Sequence, residues 1–202
     1  MQRLLVLEVH SAKSAGLLTE RTRRRLSQRK VRHVQAEKPG ELVCIDTFYI
    51  GNLKGVGKLW QLTACDAASS YAMAKVVPVN NATEAASFLR DVVAVEMEKA
   101  GWKLWRVLTD GGSEFKGEFD GMCQQLNVRH TRTKPRHAWT NGFVERLQGT
   151  ILHEHWRIAF RRRYFRRRFQ LQTSLDGFLQ FYNFKRPHQG YRTKGRTPAE
   201  IF

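Results

Sequence analysis

The chain alternates between short β-rich apolar runs and longer segments with helical spacing. From Leu42 the run LVCIDTFYIG is dense in β-branched and aromatic residues and stops at Gly51 and Asn52, which predicts a central strand buried on both faces. GKLWQLTACD and YAMAKVVPV predict two more strands, separated by the small turn-forming residues Ala67 to Ser70. Three successive strands with short connections predict an antiparallel meander. Asn81 then offers an N-cap with Glu84 three residues on, and Ala86, Leu89, Val93, Met97 and Ala100 repeat at helical spacing up to Gly101. WKLWRVLTD predicts a fourth strand, SEFKGEFDGMCQQL a helix with Phe115, Phe119, Met122 and Leu126 on one face, and NVRHTRT a short fifth strand. After a polar loop, Lys134 to Thr140, a helix starting at Asn141 uses Phe143, Leu147 and Ile151 as its inward stripe. Leu171, Leu175, Phe178, Leu179 and Tyr182 mark a last helix. The order β-β-β-α-β-α-β places the chain in the α/β class.

The first 38 residues differ. LTERTRRRLSQRKVRH is crowded with arginine and poor in apolar residues, and EKPGE punctuates it with Pro39 and Gly40. We therefore divide the chain into a basic N-terminal arm, 1–38, and a folded domain, 39–202. The 202 residues carry 35 Lys and Arg against 18 Asp and Glu, a formal charge of +17, yet 42% are hydrophobic. That apolar content excludes a disordered basic tail, and the excess of cations points to a polyanionic partner: DNA, RNA or an anionic surface. No apolar stretch approaches the ~18 residues of a membrane span, and Met1 to Leu7 is too short for a signal peptide, so a soluble intracellular protein is expected. Cys44, Cys65 and Cys123 have neither disulfide-framework nor zinc-finger spacing and are expected to be buried thiols; no zinc is expected.

In so basic a chain the informative residues are the carboxylates that solubility does not require. Asp46 interrupts an apolar strand, where an unpaired carboxylate costs several kcal/mol. Asp110 ends another and is followed by Gly111 and Gly112, which allow a turn and a close approach. Glu145 lies one residue off a helix stripe. Each has an ordinary alternative: a buried acid satisfied by backbone N–H groups, a helix cap, or a solvated partner of Arg146. Together they lie on the first strand, the fourth strand and a later helix. Adjacent first and fourth strands would bring Asp46 and Asp110 to one cleft edge, and a helix packed there could add Glu145. Three converging acids repel unless a cation intervenes, and oxygen ligands select Mg²⁺ or Mn²⁺. Asp66, at a strand end, reads as structural.

CIDTFYIG, LTDGGSEF, TNGFVERLQGTIL and FYNFKRPHQGYRTKGRTPAEI, taken in order, resemble the signatures of the retroviral-integrase-type catalytic core found in bacterial insertion-sequence transposases. The resemblance covers roughly Lys38 to Phe202. It implies an RNase H-like fold, with a mixed five-stranded sheet flanked by helices, and a catalytic triad of Asp46, Asp110 and Glu145 that ligates two Mg²⁺ or Mn²⁺ ions. It also implies cleavage and strand transfer of DNA ends, DNA as partner in a homodimer or larger assembly, and a place in the bacterial cytoplasm at the nucleoid. The chain departs from the family pattern at Gly111, where Asn is usual, and at His137, Ala138 and Trp139 before TNG. The interval from Asp110 to Glu145 is one residue short, and Gly149 and Leu152 stand where relatives carry a basic residue. HSAKSAGLLTERTRRRL resembles the tail of a helix-turn-helix module. A nuclease on the same fold and a DNA-binding remnant stay open as alternatives.

The cations divide into two groups. Lys134, Arg136, His137 and Trp139 precede the Glu145 helix and could contact phosphates and stack a base, or form a solvated loop with Trp139 folded back. Arg146 and the segment RRRYFRRR, with Arg161, Arg162 and Arg163, could track a DNA backbone while Tyr164 and Phe165 pack inward. KRPHQGYR is expected to close the domain, with His188 structural.

Overall fold

The computed structural model describes residues 36–133, 142–190 and 192–202. The basic arm up to residue 35, Asn141 and the loop residues Lys134, Arg136, His137 and Trp139 lie outside the described residues. Strand β1 (Val43–Leu53), β2 (Gly57–Asp66) and β3 (Ala72–Val77) form the antiparallel meander. Strand β4 (Arg106–Thr109) joins the free edge of β1 in parallel, and β5 (Arg129–Arg132) extends the sheet in parallel beyond it. The sheet order is β3-β2-β1-β4-β5, a mixed five-stranded sheet flanked by helices.

Helix α1 (Ala82–Phe88) starts as its cap signal requires, with the Asn81 side chain accepting from the Glu84 N–H at 2.9 Å. It runs on through a π-helical turn, Leu89–Ala94, into α2 (Val95–Lys99). The segment after Asp110, expected as one helix, is a 3₁₀ turn (Ser113–Phe115) followed by α3 (Glu118–Gln125); Gly117 between them has φ 56°, which no continuous helix accommodates. Helix α4 (Gly142–Thr150) continues through a second π-helical turn, Ile151–Trp156, into α5 (Arg157–Arg162), and α6 (Arg168–Phe184) is the last long helix.

The alternation of strand side chains sorts the sheet into two faces. Val43 and Ile45 of β1, Leu62 and Ala64 of β2 and Val107 of β4 pack with Phe88, Leu89, Val93, Met97, Phe115 and Phe119 in one core cluster under α1 to α3. Cys44, Asp46, Gln61, Thr63, Cys65, Leu108 and Asp110 alternate with these and so belong to the face that α4 covers. On that face Leu147, Ile151 and Trp156 are fully buried, and the Trp156 indole N–H donates to buried Gln61 Oε1 at 2.7 Å.

Two details correct the sequence reading. β1 is buried on both sides only at its start, Val43 to Ile45; beyond Asp46 it is half-exposed, because β4 pairs with it only at Val43 and Cys44. Val144, not Phe143, joins Leu147 and Ile151 in the inward stripe of α4. All three cysteines are buried and free.

Asp66 is structural, as expected. Its carboxylate accepts from the N–H groups of Gly40, Ala68 and Ser69 and from the Ser69 hydroxyl, at 2.7 to 3.1 Å. Burial nevertheless holds its pKa above the ordinary carboxylate range. The Gly40 it binds has φ 81°, and a Cβ there would stand 2.4 Å from the Lys103 carbonyl oxygen, so only glycine fits. Asp66→Ala leaves several buried donors unpaired and is expected to cost on the order of 3 kcal/mol in urea unfolding.

Candidate active site

Asp46 sits in β1 on the α4 face, opposite Thr63 of β2. The parallel register pairs Cys44 with Leu108, so two residues further along Asp110 emerges beside Asp46, immediately past the end of β4. Glu145 lies in the first turn of α4, which packs on β1 and β2, and its side chain is exposed. Burial pushes the Asp46 carboxyl up to about 6, and the negative charges of Asp110, Glu145 and Glu114 push in the same direction, against a hydrogen bond from the Thr47 N–H at 2.8 Å. The three acids singled out in the sequence thus feel one another at Asp46. They are not drawn into a cage: as the side chains stand, no three of His, Cys, Asp and Glu among the described residues are arranged to hold a metal ion. Asp110 Oδ1 instead accepts from the Gly112 N–H at 2.9 Å.

Glu114 is the residue that the sequence reading missed. It is nearly buried, and its Oε1 accepts from the Thr47 hydroxyl at 2.8 Å and from Asn80 Nδ2 at 2.9 Å. Burial alone would raise its pKa, but the hydrogen bonds from Asn80, its own backbone and Thr47 together hold it below the ordinary value, so it stays ionised behind Asp46. Its other oxygen faces Gly112, where an added Cβ would lie 2.5 Å from Glu114 Oε2 and 2.9 Å from Asp110 Oδ1. Gly112 therefore makes room for two carboxylates, whereas Gly111 borders open space. The only signal for Glu114 in the sequence was its place between Asp110 and the apolar Phe115.

The end of β4 is pinned from the far side. His130 of β5 touches the Thr109 hydroxyl through Nε2 at 2.8 Å and Asp120 of α3 through Nδ1 at 2.7 Å. Burial holds the His130 pKa below its ordinary value despite the Asp120 bond, which makes the neutral ring the relevant form at pH 7. Nδ1–H then donates to Asp120, and Nε2 faces the Thr109 hydroxyl, which also reaches the Asp110 carbonyl at 2.9 Å. Arg132 also bonds Asp120. This chain fixes the residue directly before Asp110.

Of the cations singled out, Arg146 is exposed on α4, and Arg161, Arg162 and Arg163 are exposed around the end of α5. Phe165 packs inward against Phe160, but Tyr164 does not: it is 69% exposed, because the extended residues between α5 and α6 alternate sides. His188 packs edge-on against Tyr182 at 4.5 Å.

The sheet order, the helix placement and the site at the β1–β4 junction define an RNase H-like fold. Two integrase core domain families match the sequence, one over residues 36–138 and one over residues 126–198. The chain belongs to the integrase core domain family. Solved structures with this fold include the simian T-cell lymphotropic virus intasome in complex with PP2A regulatory subunit B56 gamma, at TM-score 0.66 and 18% identity, over 84% of this chain and 56% of that one. The chain thus spans little more than half of that viral chain. The HTLV-2 integrase catalytic core domain in complex with magnesium, in its trimeric form, gives 0.63 at 17% identity, over 83% of this chain and 99% of that one. The BIV integrase catalytic core domain gives 0.57 at 20% identity, over 81% and 93%. No curated protein matches the chain by sequence. Among the described residues no helix is long and apolar enough to cross a membrane.

Proposed function

We propose that the chain is the catalytic core of a DNA transposase or integrase of the bacterial insertion-sequence type, cleaving DNA ends and joining them to target DNA with divalent metal. The observation that carries this reading is the placement of Asp110, immediately past β4, beside Asp46 of β1, with Glu145 in the first turn of the helix that packs on β1; burial and the neighbouring charges lift the Asp46 carboxyl to about 6 there. A buried carboxyl that resists ionisation, with further acids beside it, inside a protein of charge +17 fits a divalent cation, and an all-oxygen donor set suits Mg²⁺ or Mn²⁺. Asp46 and Asp110 would hold such ions from the sheet and Glu145 from α4. Divalent metal held there would supply the charge that activates an attacking oxygen and stabilises a leaving oxygen in phosphoryl transfer. The HTLV-2 core solved with magnesium supports the choice of metal.

This chain's own residues contribute position and charge. Thr47 and Asn80 lock Glu114, which keeps negative charge behind Asp46; His130 and Thr109 fix the backbone leading to Asp110. Arg146, Arg161, Arg162 and Arg163 would hold phosphates of transposon ends and target, with Lys134, Arg136, His137 and Trp139 serving the strand nearest Glu145. In the reaction, water attacks a phosphodiester and breaks its P–O3′ bond, leaving a 3′-hydroxyl and a 5′-phosphate; the 3′-hydroxyl then attacks a target phosphodiester and displaces the target strand's own 3′-oxygen, so one phosphodiester is exchanged for another. Two DNA ends must be held together, so a homodimer or larger assembly is proposed, in the bacterial cytoplasm at the nucleoid. The dimeric and trimeric forms of the HTLV-2 core support it.

The test is incubation with a recessed-end duplex and Mg²⁺. Joined products are expected. Cleavage without joining would make the chain a nuclease, and neither product would make it a DNA-binding remnant.

A further inference from the structure

Residues 186–190, Arg192 and Thr193 lie against the flank of α4 that carries Phe143, Arg146 and Thr150, away from Glu145, and enclose with it a cavity of about 240 Å³. Arg186, His188 and Arg192 line its other side. The described lining contains three arginines and a histidine and no carboxylate.

Each arginine is fixed without closing the cavity. Arg146 donates through Nε to the Gly142 carbonyl at 3.1 Å and stands 5.7 Å from the Phe143 ring, and neither contact cancels its charge. Arg192 stands 5.2 Å from the same ring and donates to the Ala67 carbonyl. Two guanidiniums therefore stand over one aromatic ring. Arg186 is braced by Glu154, outside the lining, through bonds of 2.7 and 2.9 Å. Burial, and then the nearby Arg186 charge, hold the His188 pKa below its ordinary value, so its ring is a neutral hydrogen-bonding group here. An anion entering the cavity is attracted by the guanidiniums that line it. Rigid, planar guanidinium forks match the paired oxygens of a phosphate group.

We propose that this cavity is a phosphate-binding subsite in which Arg146 and Arg192, with Arg186 braced behind them, hold one phosphate of bound DNA. The DNA source of that phosphate rests on the reading of the chain as a DNA-joining enzyme; the anion chemistry does not. Free inorganic phosphate presents the same group, so the experiment has two arms on the full chain. In the first, inorganic phosphate is titrated calorimetrically at constant ionic strength; in the second, duplex DNA affinity is measured across a salt series.

Saturable phosphate binding is expected in the wild type, weaker by at least about tenfold in Arg146→Gln and in Arg192→Gln. It should be unchanged in Arg129→Gln, an exposed arginine on β5 far from the cavity. The salt slope of DNA binding should fall by about one for each cavity variant. Arg146 is exposed, so its variant keeps the test decisive even if Arg192→Gln fails to fold. A lowered slope without measurable free-phosphate binding supports the subsite as one that takes phosphate only within DNA. Equal phosphate binding in all four proteins with unchanged slopes overturns the proposal, as does equal loss in Arg129→Gln. If the wild type binds no DNA, the DNA-joining reading fails and the phosphate arm alone decides the subsite.

Discussion

Asp110→Asn should abolish joining of DNA ends while leaving DNA binding intact. Metal-dependent stabilisation of a phosphoryl-transfer transition state is worth several kcal/mol, and each 1.36 kcal/mol is tenfold in rate, so the loss should reach at least about a thousandfold. The substitution is gentle to the fold. Asp110 is exposed, and the oxygen that receives the Gly112 N–H is retained in asparagine. What disappears is one negative charge beside Asp46. The proposed DNA contacts are exposed arginines elsewhere, so affinity and its salt dependence should stay within about twofold of wild type. A gel that separates joined from unjoined duplex reads the first outcome, and filter binding reads the second. Joining at more than a tenth of the wild-type rate would remove Asp110 from the chemistry.

Asp46→Asn should also stop joining, yet it should make the metal-free protein more stable. The folded state holds Asp46 at about 6, above its ordinary 3.8, so the native protein binds a proton that the unfolded chain releases. With the folded pKa raised, stability is full below about 3.8, falls as pH rises through the window between 3.8 and about 6, and stays reduced above it. A shift of about two units at about 1.4 kcal/mol each amounts to on the order of 3 kcal/mol at pH 7. Asparagine mimics the neutral form and escapes this loss. Urea unfolding from pH 4 to 7 in the presence of chelator should show the wild type falling relative to Asp46→Asn by that amount, and added divalent cation should restore it. Parallel curves for the two proteins would mean that Asp46 carries no stored electrostatic cost. An active-site substitution that stabilises is the expected mark of a residue kept for chemistry rather than for folding.

How far the sequence discloses these features depends on whether they are local. β2 runs over Gly57–Asp66, as its pattern predicts, because an apolar alternation bounded by Gly and a turn leaves little freedom of register. Asn81 caps α1 for the same reason: the signal and the bond lie within four residues. The adjacency of Asp46 and Asp110 was legible once the strand order was read, because a fourth strand crossing over to pair with the first puts the ends of the two side by side. The misses came from tertiary context. A nine-residue helix cannot fix the phase of its stripe to one residue, and Phe143 turned outward because Arg146 and Arg192 meet its ring. Tyr164 and Phe165 were assigned to one side although extended backbone sends neighbours to opposite sides. Glu114 fell within a segment expected as one helix, off the face that carries Phe115 and Phe119. Its burial follows from the 3₁₀ turn that the Gly117 break allows, and from Thr47 and Asn80, which are distant in sequence.

The central claim is that Asp46, Asp110 and Glu145 jointly hold a divalent cation. Calorimetric titration of the DNA-free protein with Mn²⁺ tests it without reference to turnover. Saturable binding is expected in the wild type, weakened at least about tenfold in Asp46→Asn and in Asp110→Asn, because each removes one carboxylate from an oxygen-only donor set. Mn²⁺ binding of equal strength in the wild type and both variants, or no binding in any of them, would contradict the claim.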